Sequence, residues 1–567
     1  MSDKTLAKEK LKLVLCWHMH QPEYRDLQTG EFILPWTYLH VIKDYVDMAA
    51  HLEAIPEAKA VVNFAPILLE QIEEYAKQIN GYLHHQNEIT DSFLAALVST
   101  APPEDYESAL RLIKNCLRAN RERQINRYPE FKKLADMADW LDQHYEALKY
   151  INAQYIVDML VWYHLAWMGE TVKLNDSRIQ HLIAKGSGYS WQDRRELLEI
   201  IGELLTNVVC RYHALVKKGQ LELSVTPYAH PIMPLLLDLQ TAKEAMPEAL
   251  MPELPSYPDG KARVIWQLEH GVQTFKRFFG FKPTGCWPSE GAVSEATINL
   301  LSDFGFKWTA SGGSVLNHSL NLPENDKSLG IHHRFQLKNS AIQCFFRDDG
   351  LSDLIGFEYS KWHADDAVAD LISHLENIAA DGTKDKVVSI IMDGENAWEH
   401  FPQNGYYFLS NLYQRLAEHP TIELTTFSEC LNTNIKSKPL VKLVAGSWVY
   451  GTLSTWIGDC DKNRGWDMLG DVKTEFDKAI TEQRLTEQQI SEAELQLAVC
   501  EGSDWFWWFG DYNPGEAVSN FEKQYRLNLA NLYRLLGIQP PAYLALSFTQ
   551  GSGSPAMGGA MRPGLEP

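Results

Sequence analysis

Seven short apolar runs of the strand-forming kind recur over the first 430 residues, at positions 13–17, 60–64, 221–226, 284–287, 307–310, 341–346 and 387–392. Each is followed by polar or Gly/Pro residues and then by apolar residues at helical spacing. Strands separated by helices run parallel, because each helix carries the chain back to the starting edge, and a parallel sheet is covered on both faces. The alternation therefore predicts an α/β fold, a (β/α)7 barrel occupying residues 1–435. Between about 80 and 218 no run reads as a strand, while 93–98, 110–117, 155–168 and 194–216 carry helical periodicity. That stretch is read as a large helical insertion after the second strand.

From about residue 436 the pattern changes to aromatic-rich loops and helices at 466–480, 490–500 and 515–536, read as a helical C-terminal domain over 436–546 that completes the cleft. Residues 547–567, SFTQGSGSPAMGGAMRPGLEP, are rich in Gly, Ser and Pro and are read as a disordered tail. Within the barrel, GCWPSEGAVSEATINLLSDFGF combines a strand end, a turn, Ser294 as N-cap, apolar Ile298, Leu301 and Phe304, and Gly305 as the stop. Glu290 accordingly falls in a strand-to-helix loop.

In a parallel barrel the loops after the strands converge on one face, so polar residues just past several strands share a cleft. His18 and His20 follow the first strand, His230 the third and Glu290 the fourth. Asp348, Asp349 and Asp353 follow the sixth, and Asp393 and Glu395 the seventh. Taken singly, each has a bland reading as a hydrogen-bonded structural residue or a turn. Two carboxylates from different strands, three histidines and several tryptophans at one rim together suit glycoside cleavage, which needs one carboxyl to attack or activate water and another to protonate the leaving oxygen.

Composition narrows the partners. A net charge of −22 excludes the clustered Lys and Arg needed to bind nucleic acid or anionic membranes. The N-terminal stretch MSDKTLAKEKLKLVLCW has too short an apolar run for a signal peptide and no run of about 18 apolar residues suggests a membrane span, so a cytoplasmic location is expected. The eight cysteines contain no CxxC pair and are read as reduced thiols. Seventeen tryptophans are many for this length, and serve either as core mass or as platforms for sugar rings.

The residues now gathered resemble glycoside hydrolase family 57. Five motifs occur in order: WHMHQP at 17–22, GQLELSVTPYAHPIMP at 219–234, GCWPSE at 285–290, IIMDGENAWEHF at 390–401 and VYGTLSTWIGD at 449–459. The resemblance covers about residues 11–540. It implies that Glu290 is the nucleophile and Asp393 the general acid/base of a retaining enzyme, Glu290 ionised at rest and Asp393 protonated. It further implies that His18, His20, His230 and Asp353 donate or accept hydrogen bonds at the reacting sugar and that Trp287 and Trp456 are stacking platforms. Glu222 and Glu395 are read as partners behind the site. The run Asn396-Ala397-Trp398 is closer to the α-amylase and amylopullulanase-like branch than to the branching enzymes.

The activity so implied is hydrolysis of α-1,4 links in starch, glycogen or maltodextrin, with an α-glucan polysaccharide or oligosaccharide as substrate and no cofactor. A 4-α-glucanotransferase or amylopullulanase on the same scaffold is the alternative. Two further classes compete: a metal-dependent barrel hydrolase, because HxH after a first strand also begins metal sites, and a glucan-binding protein without catalysis.

Overall fold

The computed structural model describes residues 10–99, 105–320, 330–381, 384–510, 512–553 and 561–564. Among the described residues ten strands form one sheet: β1 (Leu11–Met19), β2 (Ala60–Phe64), β3 (Leu221–Val225), β4 (Gly285–Cys286), β5 (Trp308–Ser311), β6 (Phe335–Leu337), β7 (Gln343–Phe346), β8 (Val387–Asp393), β9 (Ile422–Leu424) and β10 (Lys438–Leu440). All seven strands read from the sequence are present. They pair in parallel in the order β8-β1-β2-β3-β4-β5-β7, curling into the distorted barrel that the alternation predicts. A single parallel bridge, Arg347 to Ser389, brings the two ends together.

Three strands were not legible in the sequence because each has three residues, too few for a period to show. β6 lies antiparallel to β7 and carries β10, while β9 takes the N-terminal half of β1, whose C-terminal half pairs with β2.

Strand alternation sets the two faces. On β1, Leu13, Leu15 and Trp17 pack outward into the main core with the helices, whereas Val14 and Cys16 face the barrel interior with Val61, Trp308, Phe345 and Ile391. The floor is closed by Phe427, against which Trp308 and Phe345 stack at 4.4 and 4.6 Å. Glu222 lies there too, accepting from Trp308 Nε1 at 2.7 Å and Ser428 N at 2.9 Å. Gly285 is fixed by this packing: a Cβ there would sit 1.9 Å from Trp308 Cε2.

After β2 the chain forms the long helix Pro66–His85 and then an all-helical region, of which Trp191–Lys217 is the longest described piece, followed by Pro129–Gln143 and Ala153–Trp167. Beyond β10, helices Cys460–Thr481, Glu487–Cys500 and Gly515–Leu535 pack against the barrel, tied to it by the buried Arg263–Glu501 pair at 2.7 Å. The aromatic stretch read as a loop contains a short helix, Ser503–Trp508. Among the described residues no helix is long and apolar enough to cross a membrane.

Part of the segment read as a disordered tail, 547–553, makes specific contacts. Phe548 packs edge-on against Phe509 at 5.0 Å, Thr549 Oγ1 donates to Asp461 at 2.7 Å, and Gly553 N donates to Asn513 O at 3.1 Å. An aromatic pocket and open backbone groups thus hold a segment whose composition alone suggests freedom. Residues 561–564 are also held, at the cleft; 554–560 and 565–567 lie outside the described residues.

Candidate active site

The site grows out of one layer of the barrel. His18 is the next inward-facing residue above Val14 and Cys16, and its register partners are Asn63 on β2 and Asp393 on β8; Asn63 in turn pairs with Ser224 on β3. Inward alternation therefore delivers an imidazole, an amide, a hydroxyl and a carboxylate at one height, where the strands end. Above them opens a cavity of about 680 Å³ lined by His18, His20, Glu290 and Asp393.

Glu290 ends β4 in a 3-10 turn, Ser289–Gly291, with φ 58° and ψ 21°, the left-handed region that a side chain larger than glycine's enters at a cost. Trp448 offsets that cost from both ends. Its backbone N donates to Glu290 O at 3.0 Å, and its Nε1 donates to Glu290 Oε2 at 2.8 Å. The helix beyond, Glu295–Asp303, begins at Ser294, whose hydroxyl accepts from Thr297 N, as the sequence predicts. His230 also has a left-handed backbone, φ 60°, so two of the motif residues are held in strained turns at the same rim.

The three histidines stack: His20 on His230 at 3.8 Å, and His18 on His230 at 5.0 Å between ring centres. Their nitrogens form a chain from Ser503 Oγ to His230 Nδ1 (2.8 Å), His230 Nε2 to His18 Nε2 (3.0 Å), and His18 Nδ1 to Asn63 Oδ1 (2.6 Å). Asn63 Oδ1 can only accept, so neutral rings satisfy the chain with hydrogens on His18 Nδ1 and His230 Nε2. Burial supports neutrality, lowering His18 to about 3 and His230 well below its ordinary value, with the neighbouring imidazoles adding to the effect.

This alters the reading of the histidines. His18 and His230 commit both ring nitrogens to the protein, and His230 stands behind the wall, its Nδ1 3.9 Å from Glu290 Oε1. His20 donates through Nε2 to the Asp504 carboxylate at 2.8 Å and keeps a buried Nδ1 without a partner. Only His20 has a nitrogen to offer a ligand without rearrangement.

Asp393 ends β8 and accepts from Asn396 Nδ2 at 2.9 Å. Burial raises its carboxyl, opposed by that hydrogen bond and by the fields of His20, Arg347 and His40. Burial also raises Glu290, with the Asp393 and Asp504 carboxylates adding to it against the Trp448 donor. Burial thus pushes both carboxyls of the pair upward, the direction that a general acid needs and that the nucleophile's hydrogen-bond donor must oppose. Glu395 turns away, accepting from His20 N and Gln21 Nε2 at 3.2 and 3.3 Å.

Two expectations fail. Trp287 and Trp456 are fully buried, and neither reaches the cavity. Trp287 points into the barrel interior and packs beneath Trp448 at 5.1 Å, and Trp456 belongs to the core of the C-terminal region. The indoles that do reach the cavity are Trp36, Trp167, Trp448, Trp507 and Trp508. Asp353 is held by Arg347 Nη2 at 2.7 Å and by the backbone N of Gly564 at 2.9 Å. Asp348 pairs with His332 and Asp349 with Arg347, so both are structural.

The sequence reading did not single out Asn63, Arg347 or Asp504 as site residues. The first is signalled by strand parity, since it is the one polar inward residue at the end of β2. Asp504, inside SDWFWW, carries no local signal for its contact with His20, 484 positions away. For a metal, His20, His230 and Asp504 bring one ligand atom each within 4.8 Å of one another. His20 Nε2, both His230 nitrogens and the Asp504 carboxylate already take part in the hydrogen bonds above, leaving His20 Nδ1 alone unpartnered among the three residues, which is a poor fit to a metal site.

The model of one protein family, glycosyl hydrolase family 57, matches residues 14–443. No curated protein matches the chain by sequence. Among solved structures, the fold is similar to a GH57 branching enzyme from Thermococcus kodakaraensis, with a TM-score of 0.57, 16% identity, and 95% of this chain and 92% of that one covered. It is similar to an α-amylase from Thermotoga maritima (TM-score 0.58, 13% identity, 93% of each chain). It is also similar to a 4-α-glucanotransferase from Thermococcus litoralis (TM-score 0.52, 15% identity), covering 93% of this chain and 60% of that one.

Proposed function

The chain belongs to glycosyl hydrolase family 57, and from that premise we propose that it is a retaining hydrolase of α-1,4-glucosidic bonds in starch, glycogen or maltodextrin, of the α-amylase type. The observation that carries this is the pair Glu290 and Asp393, delivered by the fourth and seventh strands of the barrel to one aromatic cavity. In the first step Glu290 attacks the anomeric carbon as the bond to the leaving oxygen breaks, and Asp393 gives that oxygen its proton. In the second, Asp393 takes a proton from water, whose oxygen displaces Glu290 and restores the configuration.

The remaining groups fit these roles. Trp448 Nε1–H stabilises the ionised nucleophile and holds the carboxylate in its turn. Positive charge developing on the sugar in the transition state also favours ionised Glu290. Arg347 and His20 lie on the cleft wall with hydrogen-bonding capacity for hydroxyls, and Trp507 and Trp508 offer faces for glucose rings.

Relatives of similar fold carry names spanning branching, hydrolysis and glucan transfer. Interception of the same intermediate by a sugar hydroxyl gives transfer, and hence the alternative reading as a 4-α-glucanotransferase or amylopullulanase. Product profiles on maltotriose, amylose and pullulan test the proposal: a steady gain of reducing ends from amylose supports it. Longer oligomers from maltotriose without net hydrolysis, or cleavage confined to pullulan, would refute it.

A further inference from the structure

Within residues 561–564, Met561 and Arg562 line the cleft, and Gly564 is held beside Arg347, which also lines it. The Arg562 guanidinium covers the indole of Trp507 at 4.9 Å and the ring of Tyr512 at 4.6 Å, and donates to Asn513 Oδ1 at 3.2 Å. Trp507, which lines the cavity, is only 8% exposed beneath this cation and its core neighbours. Gly564 N donates to Asp353 Oδ2 at 2.9 Å, and Ser314 Oγ donates to Gly564 O at 3.3 Å. Close approach fixes that glycine, because a Cβ would fall 2.5 Å from Arg347 Nη1 and 2.7 Å from Asp349 Cγ. Met561 and Arg562 both line the cavity that holds the carboxyl pair.

Each contact takes a position from substrate. An aromatic face is covered by a cation, as it would be by a sugar ring. A carboxylate that could accept from a hydroxyl accepts from a backbone N–H. The Arg562 charge acts on Glu290, lowering its proton affinity, as the charge developing on the sugar would.

We propose that Met561–Gly564 is an intramolecular competitor for the glucan, bound across the Trp507 face and Asp353, which substrate must displace before cleavage. This rests on the reading of the cleft as a glucan site. A tethered segment acts at an effective concentration in the millimolar range, so a segment whose own affinity is about 0.1 mM raises the apparent KM about tenfold.

The test compares the full chain, a form lacking residues 554–567, and full-length Arg562→Ala, which keeps the tail but removes its stacked cation. The KM for maltoheptaose should fall about tenfold on deletion, and by most of that in Arg562→Ala, with kcat unchanged. A synthetic peptide of residues 554–567 should quench tryptophan fluorescence of the deleted form but not of the full chain, and inhibit the deleted form competitively. The fluorescence arm uses no glucan: quenching confined to the deleted form, with no turnover of any glucan, would fail the glucan reading while leaving the segment's occupancy standing. An unchanged or higher KM on deletion, altered product lengths without a lower KM, or no peptide binding to the deleted form would overturn the proposal.

Discussion

Trp448→Phe separates the electrostatic role of Trp448 from its packing. The substitution keeps an aromatic ring against Trp287 and the backbone N–H to Glu290 O, but removes the Nε1 donor 2.8 Å from Glu290 Oε2. The Glu290 side chain is 12% exposed, so water replaces the lost donor poorly. A hydrogen bond to a charged group contributes about 1.5–3 kcal/mol, and one pKa unit corresponds to about 1.4 kcal/mol. Loss of the donor should therefore raise the Glu290 pKa by about 1–2 units, on top of the upward push from burial and Asp393.

The sign follows from the mechanism. Glu290 must be ionised to attack, so the acidic limb of kcat/KM against pH should move about 1–2 units toward alkali, while rates above that limb stay near wild type. Reducing-end release from maltoheptaose between pH 4 and 9 measures it. Trp287→Phe is the control, because the Trp287 Nε1 is buried without a partner and donates to no carboxylate. A uniform loss of rate with both limbs in place, or an equal displacement in Trp287→Phe, would refute the assignment of Trp448 to the charge on Glu290.

Glu290→Gln and Asp393→Asn should each cut glucan cleavage by several orders of magnitude while maltodextrin binding, followed by calorimetry, stays measurable; wild-type turnover in either would remove that residue from the reaction. His18, about 3 when folded against an unfolded value near 6.5, contributes stability that is complete above pH 6.5 and is lost as the pH falls toward 3, about 2 kcal/mol of it by pH 5. Urea midpoints should therefore show the advantage of wild type over His18→Gln shrinking by about that much between pH 7 and 5, and a constant difference would contradict the neutral histidine chain. Gly285→Ala should cost at least 1–3 kcal/mol by driving a methyl into the Trp308 ring, seen as a lowered Tm, and an unchanged Tm would mean that this wall yields. Cleavage should persist in EDTA, and a loss restored by Zn²⁺ would return His20, His230 and Asp504 to candidacy as metal ligands.

The barrel and its two carboxyls were legible because both follow from short-range rules. Apolar runs of four to nine residues, each leading into helical spacing, mark the parallel strands whatever surrounds them, and the polar residue ending such a run lies at the cleft. His18 shows how far parity reaches: with Val14 and Cys16 inward, His18 has no other face to occupy. Parity also accounts for the failure at Trp287, since proximity to Glu290 in sequence suggested a platform, but β4 is only two residues long and the indole turns into the barrel interior beneath Trp448.

What the sequence hid was supplied from a distance. Asp504, Ser503 and Trp448 reach the histidines and Glu290 across 484, 273 and 158 positions, by the docking of the C-terminal region on the barrel rim, and no period or spacing encodes that. The five-residue π-turns Val41–Tyr45 and Leu354–Glu358 are likewise invisible to a 3.6-residue period, yet His40 at the start of the first and Gly356 in the middle of the second line the cavity. The tail is the extreme case. Its composition argues for freedom, and Phe548, Arg562 and Gly564 overrule composition because each meets a site whose shape was set hundreds of residues earlier: an aromatic pocket, an indole face, and a gap beside Arg347 that admits no side chain. A low-complexity segment is therefore a weak guide to disorder when the rest of the chain presents an open aromatic cleft, since a single cation and a single glycine are enough to fit it.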